Sequence, residues 1–383
     1  MIYLDYNATT PLCAPARDAM RPYLDQHFGN PSSIHAAGRE ARAAIDEARD
    51  RLARLLGAKP GELVFTGSGT EANNLAVLGL ARSQAERGRH LICSTAEHHA
   101  VLHACEHLQK REGFEVTFLP VDRDGLVDLA QLVSAIRPET TLVSIMSANN
   151  ETGVVQPLRE ISDACRERGV LSHSDMVQSF GKQPTNLELV DAASFAAHKF
   201  YGPKGAGLLF LRAGLAIESI QFGGSHENQR RPGTENVPAI AGMAAAADWA
   251  LSGCEEEQSR QAALRDCLWG KISQNFPSTR LNGGAAPRLA NTLNVSFPGV
   301  SSETMLMALD LEGVGVSSGS ACMVGSVTAS HVLLAMGAGE EMAGSAVRFS
   351  LGKQTTPEEI EEAGEIVTRV LQRLQPAPSY AVV

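Results

Sequence analysis

We expect no segment that directs the protein to a membrane or out of the cell. Its first residues carry no basic stretch followed by an apolar run, so we expect no signal peptide. The longest weakly polar stretch, 239–251, contains Asp248 and is shorter than the roughly 20 apolar residues of a membrane-spanning helix. Acidic side chains outnumber basic ones by 43 to 33, and the net charge of −10 argues against nucleic acid as a direct partner.

Paired cysteines are also missing. The seven cysteines are odd in number and scattered, and none forms a Cys-x-x-Cys motif, so a zinc ribbon or a thioredoxin-type site is unsupported. A reducing compartment in which most of these thiols are buried is the natural interpretation, and we predict a cytoplasmic protein. The cysteines are Cys13, Cys93, Cys105, Cys165, Cys254, Cys267 and Cys322.

Three histidines have a spacing that suits a metal. His99, His103 and His107 lie four residues apart on a predicted helix, so one face of that helix has the ligands to chelate a divalent cation. A solvated polar face opposite an apolar stripe explains the same spacing. We favour the polar face and predict no metal site.

The apolar pattern alternates between helix and strand along most of the chain, which is typical of an α/β protein. Short apolar runs predict buried strands, and helical patterns lie between several of them. We predict a large domain over 15–255 with a mixed, mostly parallel sheet. A smaller α+β domain is predicted from 1–14 and 256–383. The apolar runs are 90–93, 116–119, 142–146, 170–173 and 207–211.

A glycine turn at 66–73, with the sequence TGSGTEAN, follows a predicted strand and opens a predicted helix. Backbone amides at such a helix start, with the hydroxyl of Thr70, form a place where a phosphate group can sit. Gly69 and Thr70 are therefore candidate phosphate ligands. The same turn also serves in many proteins only to cap a helix.

Asp175 closes a second buried strand, within the sequence SHSDMVQ. A carboxylate at the carboxyl end of a parallel strand lies where α/β proteins place functional groups. Beside a pyridine nitrogen it would keep that nitrogen protonated and make the ring an electron sink. A helix cap is the alternative interpretation of Asp175.

Lys199 follows an apolar strand and precedes the turn Gly202-Pro203. An aldehyde cofactor needs a lysine whose pKa is lowered by partial burial, because the neutral amine forms the Schiff base. A lone lysine is more often a surface charge. The order of phosphate turn, acidic strand end and lysine changes this balance, since pyridoxal 5′-phosphate (PLP) requires all three.

Cys322 lies in a segment rich in serine and glycine, VSSGSACMVGS over 316–326. Small residues predict an exposed loop, and a cysteine there is a candidate nucleophile. A buried packing thiol is the alternative, and it suits the other six cysteines better.

These motifs resemble the class-I cysteine desulfurases of the NifS/IscS type, which are PLP enzymes of fold type I (aspartate-aminotransferase-like). The resemblance runs along essentially the whole chain. It is carried by YLDYNATTP at 3–11, FGNPSS at 28–33, EH at 97–98, NNETG at 149–153, RPGTEN at 231–236, the Cys322 segment and RFSLG at 348–352.

The resemblance implies a role for each matching residue. Lys199 would form the Schiff base, Asp175 would bind the pyridine nitrogen, and Cys322 would accept the sulfur as a persulfide. His98 would stack on the cofactor ring and move protons, and Arg348 would hold the substrate carboxylate. The remaining expected contacts are Gln178 and Asn150 to the ring oxygen or substrate, Asn30 to the substrate, and Gly69, Thr70, His198 and Thr234 to the phosphate.

The resemblance also implies partners. Thr234 would come from the other subunit of a homodimer, L-cysteine would be the substrate, and alanine the product. The sulfur would pass to an Fe–S scaffold or another sulfur-acceptor protein. Alternatives are a selenocysteine lyase, a PLP aminotransferase and a non-catalytic scaffold. A loop thiol at Cys322 argues against the aminotransferase, and a scaffold has no need of the whole set of site residues.

Overall fold

The computed structural model describes residues 1–319 and 329–374, so Cys322 lies outside the described residues. The strands are β1 (Ile2–Tyr3), β2 (Leu63–Thr66), β3 (His90–Ser94), β4 (Glu115–Leu119), β5 (Thr140–Ser144), β6 (Leu171–Asp175), β7 (Ala192–Ala196), β8 (Gly207–Leu211), β9 (Arg280–Leu281), β10 (Thr292–Ser296), β11 (Val314–Gly315) and β12 (Ala346–Ser350). The α-helices are α1 (Ala14–Asp25), α2 (Ala36–Leu56), α3 (Gly69–Ser83), α4 (His99–Arg111), α5 (Leu129–Ala135), α6 (Leu158–Glu167), α7 (Val237–Leu251), α8 (Cys254–Asn275), α9 (Ser302–Leu311), α10 (His331–Ala335), α11 (Glu340–Gly344) and α12 (Pro357–Leu374).

A seven-stranded mixed sheet forms the centre of the larger lobe, in the order β2-β8-β7-β6-β5-β3-β4. Strand β8 runs antiparallel to β2 and β7, and the remaining pairs are parallel. Successive residues of β3 face opposite sides: Leu91 and Cys93 pack with α3 and α4, whereas Ile92 packs with α6. Helices therefore cover both faces, and the predicted α/β fold with a mostly parallel sheet is confirmed.

A second lobe is built on the antiparallel sheet β12-β10-β9. Its core comes from α8, α9 and α12, whose apolar faces pack with Leu293, Val295 and Phe349 of this sheet. Strand β1 pairs in parallel with β11, which ties the chain start to this lobe. Helix α10 instead packs Val332 and Leu333 with the core of the larger sheet. The division of the chain at residues 14 and 255 stays a prediction.

Two predicted strands are displaced by about two residues. The run 142–146 is observed as Thr140–Ser144, because the β-branched Thr140 and Thr141 extend the start of β5 beside β3, where Thr140 pairs with His90. The run 170–173 is observed as Leu171–Asp175. A prediction from apolar runs does not include the polar residues at the end of a strand. In β6 those polar residues include Asp175.

Within the described part of the chain, no single helix is both long and apolar enough to cross a membrane. Helices α7 and α8 reach that length and composition only together, and they meet at a bend of 70°.

Candidate active site

A cavity of about 290 Å³ opens at the carboxyl edge of the large sheet, beside the small lobe. The carboxyl ends of β2, β3, β5, β6 and β7 meet there, which explains why residues distant in sequence share one space. Nine of the predicted site residues line this cavity: Gly69, Thr70, His98, Asn150, Asp175, Gln178, His198, Lys199 and Arg348. It is also lined by Asn7, Ala8, Ser68, Asn73, Met146, Ala148, Val177, Ala196 and Gly319.

One end of the cavity is the start of α3. The Ser68 hydroxyl accepts the Glu71 amide at 3.1 Å, which fixes the helix start, and Gly69 and Thr70 of this first turn line the cavity. A Cβ added to Gly69 would lie 2.8 Å from Val177 Cγ2 and 3.1 Å from Ala196 Cβ. Only glycine therefore fits this close approach, and the positive end of the helix dipole is suited to an anionic group.

Asp175 lies at the end of β6 and is buried. Its Oδ2 accepts the Asn73 side-chain amide at 2.6 Å, and its Oδ1 accepts the backbone amide of Val177 at 2.9 Å. These two donors hold the carboxylate in one orientation at the cavity wall.

The Lys199 ammonium donates to the backbone carbonyls of Asn7 at 2.7 Å and Ala8 at 2.8 Å. The N-terminal segment thus supplies the groups that hold this amine in the cavity.

Asn7 is a buried residue that connects both lobes, and sequence reasoning did not single it out. Its side-chain amide donates to Thr292 Oγ1 at 2.9 Å, and its side-chain oxygen accepts Asn291 Nδ2 and Lys182 Nζ, both at 3.0 Å. Lys182 Nζ also donates to Gln178 Oε1 at 2.7 Å, and burial holds the pKa of Lys182 well below its usual range. The only sequence signal for Asn7 was its place in the motif at 3–11.

His98 precedes α4 and caps it, because its Nδ1 accepts the Ala100 amide at 3.0 Å. An accepting Nδ1 leaves Nε2 as the protonated nitrogen of a neutral ring. Burial lowers the pKa of His98, which favours that neutral form. His98 is thus held at the cavity wall as an imidazole whose neutral form is favoured.

Glu97, next to His98, has no exposed surface. Its Oε1 accepts the Ser94 hydroxyl at 2.7 Å and the Met146 amide at 2.9 Å, whereas its Oε2 has no hydrogen-bond partner among the described residues. Burial raises the pKa of Glu97 to about 8. The carboxyl group therefore carries a proton at neutral pH.

The raised pKa of Glu97 predicts how the free energy of unfolding depends on pH. Between pH 4.5, the ordinary value, and pH 8, the folded chain keeps a proton that the unfolded chain releases, so the free energy of unfolding falls as pH rises. Glu97→Gln is expected to remove this fall, which amounts to at most about 1.4 kcal/mol per pH unit. Urea unfolding of both proteins at pH 5 and pH 8 measures it. Parallel pH dependences in the two proteins would show that Glu97 is ionised.

Arg348 is the deeply buried cation of the small-lobe wall. One nitrogen donates to the Asn150 carbonyl at 2.8 Å and another donates to Asp5 Oδ1 at 2.7 Å, while Nε has no partner among the described residues. The two bonds fix the guanidinium at the cavity, where its planar donors suit a carboxylate.

Two of the predicted site residues that the structure describes, Asn30 and Thr234, are not brought to this cavity. Asn30 is exposed and its side-chain oxygen accepts the Ser32 amide at 2.9 Å. Thr234 is exposed beside a separate cleft that Gly67 and Arg231 also line. Cys322 lies outside the described residues.

The histidine row is exposed at His103 and His107, as predicted for a polar face, and partly buried at His99. The ring centroids of His99 and His103 are 4.9 Å apart, those of His99 and His331 are 4.4 Å apart, and His107 Nε2 lies 3.2 Å from a Glu112 oxygen. Burial lowers the pKa of His99 to about 4. Among the described residues, no group of three histidine, cysteine or acidic side chains is placed to hold a metal ion.

Known proteins are similar to this chain in both sequence and fold. The family model for class-V aminotransferases matches residues 2–362. The chain belongs to this family. It is 46% identical to a cysteine desulfurase IscS of Dictyoglomus turgidum over 99% of this chain and 96% of that one, and 42% identical to one of Methanosarcina thermophila over 98% and 93%. A solved NifS-like protein superposes with a TM-score of 0.90 at 36% identity, covering 97% of this chain and 99% of that one. A NifS-like protein from Rickettsia africae gives 0.87 at 31% identity, with the same coverage.

PLP is the cofactor of this family, and the residues of the cavity fit it. The start of α3, with the Gly69 cradle, would hold the phosphate together with Thr70 and His198. Asp175 would face the pyridine nitrogen, and the Lys199 amine would bind the aldehyde. When bound, the cofactor withdraws electrons from the α-carbon of a substrate amino acid. The Asp175 carboxylate would support that withdrawal by keeping a facing nitrogen protonated.

Proposed function

We propose that this protein is a cysteine desulfurase that converts L-cysteine to L-alanine and transfers the sulfur to Cys322 as a persulfide. The observation that carries the proposal is that Lys199, Asp175 and Arg348 line one cavity in a chain 46% identical to a cysteine desulfurase IscS. The reaction balances without another reactant. The C–S bond of the substrate cysteine breaks and a sulfur–sulfur bond forms at Cys322. Of the two thiol protons, one stays on the persulfide and the other is taken up in forming the methyl group of alanine.

Each side chain has a task in this proposal. Arg348 binds the substrate carboxylate through donors that Asp5 and Asn150 already orient. The neutral imidazole of His98 accepts a proton at Nδ1 when its helix cap opens, or passes one through Nε2. Gln178, held by Lys182 at 2.7 Å, fixes the ring edge of the cofactor together with Asn150.

The proposal includes partners and a location. The active unit is a homodimer in which Thr234 of each chain reaches the cofactor phosphate of the other, and exposure of Thr234 outside its own cavity supports this. Asn30 joins the substrate site in that assembly. Cys322 passes sulfur to an Fe–S scaffold or another acceptor protein. The setting is the reducing cytoplasm, and the six described cysteines are all free thiols.

An absorbance spectrum of the purified protein, followed by addition of L-cysteine with alanine and sulfide assays, tests the proposal. We expect a visible cofactor band that changes with cysteine, equal amounts of alanine and sulfide under reductant, and a persulfide on Cys322 by mass spectrometry. A cofactor band with no alanine from cysteine would overturn the desulfurase, and selenocysteine would then be tested first. Alanine formed from L-cysteine with no persulfide detected on Cys322 would overturn the persulfide step.

A further inference from the structure

Glu151 is a buried carboxyl group that the proposed chemistry does not use. It follows Asn150 in the turn after β5, and only 2% of its surface is exposed. Burial raises its pKa, and none of the described basic side chains forms an ion pair with it. A carboxyl group in such surroundings is costly to bury, so its contacts decide what it does.

The backbone of Glu151 is fixed from both lobes. Its amide donates to Asn149 Oδ1 at 2.8 Å, within the turn of the large lobe. Its carbonyl accepts the Asn294 side-chain amide at 3.1 Å, from β10 of the small lobe. The side chain therefore starts from a rigid point between the lobes.

The side chain of Glu151 contacts the chain at two places that are 11 residues apart in sequence. Ser330 Oγ donates to Glu151 Oε2 at 2.5 Å, and the same hydroxyl accepts the Leu333 amide at 3.1 Å and so caps α10. Gly319, with φ of +84°, passes so close that an added Cβ would lie 3.0 Å from Glu151 Cγ. Gly319 is the last described residue before the segment 320–328, which contains Cys322, and Ser330 is the second described residue after it.

We propose that Glu151 is a positioning residue for sulfur transfer, because its side chain packs closely against Gly319 and binds Ser330, and thereby fixes the chain just before and just after the segment that contains Cys322. This inference rests on the proposed function. Fixing both ends raises the effective concentration of the Cys322 thiol at the substrate, and a misplacement of about 1 Å can cost about 100-fold in rate. Glu151 does not line the cavity, whereas its neighbour Asn150 does.

The test separates sulfur transfer from events at the cofactor. In single turnovers of the holoenzyme with L-cysteine, the absorbance change of the cofactor reports substrate binding, and alkylation with mass spectrometry reports persulfide on Cys322. For Glu151→Ala we expect persulfide formation to slow about 10- to 100-fold, with the first absorbance change within about twofold of the wild type. Glu151→Gln keeps an oxygen that accepts the Ser330 hydroxyl and is expected to restore most of the rate.

A second variant keeps the test decisive if Glu151→Ala folds poorly. Ser330→Ala is expected to slow persulfide formation in the same way, and the double variant to be no slower than the slower single one, since both remove one contact. Ser301→Ala is the matched control, because Ser301 caps α9 in the same lobe by accepting the Thr304 amide at 3.2 Å and has no contact with Glu151. It should leave both steps unchanged.

Two results would overturn the positioning role: persulfide formation at the wild-type rate in Glu151→Ala and Ser330→Ala, or an equal slowing of both readouts. The second would mean that the variants damage the cavity through Asn150. A wild-type enzyme that makes alanine without persulfide on Cys322 would instead overturn the proposed function, and that result is read before any variant is compared.

Discussion

Lys199→Ala is expected to abolish the visible absorption band of the bound cofactor and to lower alanine production from L-cysteine by about 1,000-fold or more. Lys199 supplies the only amine among the described residues that line the cavity, so no other side chain there replaces it in binding the aldehyde. Its ammonium is already held by the carbonyls of Asn7 and Ala8 at 2.7 and 2.8 Å. Loss of the lysine removes both the attachment and a positioned base.

The measurement is an absorbance spectrum of the variant after dialysis against PLP, with alanine assayed in parallel. Lys204→Ala is the matched control, because Lys204 is exposed five residues further along and does not line the cavity. It should keep the wild-type spectrum and rate. A Lys199→Ala protein with an unchanged band and more than about a tenth of wild-type turnover would contradict the role given to this lysine.

The sequence predicted those site residues that stand directly beside a strand or helix end. Asp175 closes an apolar strand, Lys199 follows one and Gly69 opens a helix, so local pattern was enough to mark each of the three as a candidate site residue. All three line the cavity. Local pattern was less exact for the strand of Asp175, since the strand continues into polar residues that apolar runs do not mark.

Residues that act through contacts distant in sequence were not predictable in the same way. Asn7 contacts Lys182, Lys199 and Thr292, which are separated from it by 175, 192 and 285 residues. Glu151 meets Ser330 at a separation of 179 residues. Nothing in the residue pattern around Asn7 or Glu151 specifies these partners, because they depend on how the two lobes pack. Resemblance to the family included both residues in its motifs but gave neither of them a role.

Cys322→Ala is expected to keep the cofactor band and its response to L-cysteine, while sulfide release falls by about 1,000-fold or more. The reason is that the sulfur must be accepted by a thiolate, and alanine offers no nucleophile. An ordinary thiol with a pKa of about 8.5 is only a few per cent thiolate at pH 7, so the wild-type rate should rise with pH as more thiolate forms. This pH dependence should disappear with the thiol.

The matched control is Cys267→Ala, which removes an exposed thiol from the small lobe and should change neither spectrum nor rate. The variant also distinguishes the alternative chemistries. An aminotransferase moves an amino group without a thiol, so Cys322→Ala would then retain full activity towards an amino acid. Full desulfurase activity in Cys322→Ala would mean that another acceptor takes the sulfur. The positioning role proposed for Glu151 would then also be contradicted. Loss of sulfide release with an intact cofactor response would place the sulfur-accepting step at Cys322 and the preceding steps at Lys199, which are two separable parts of one site.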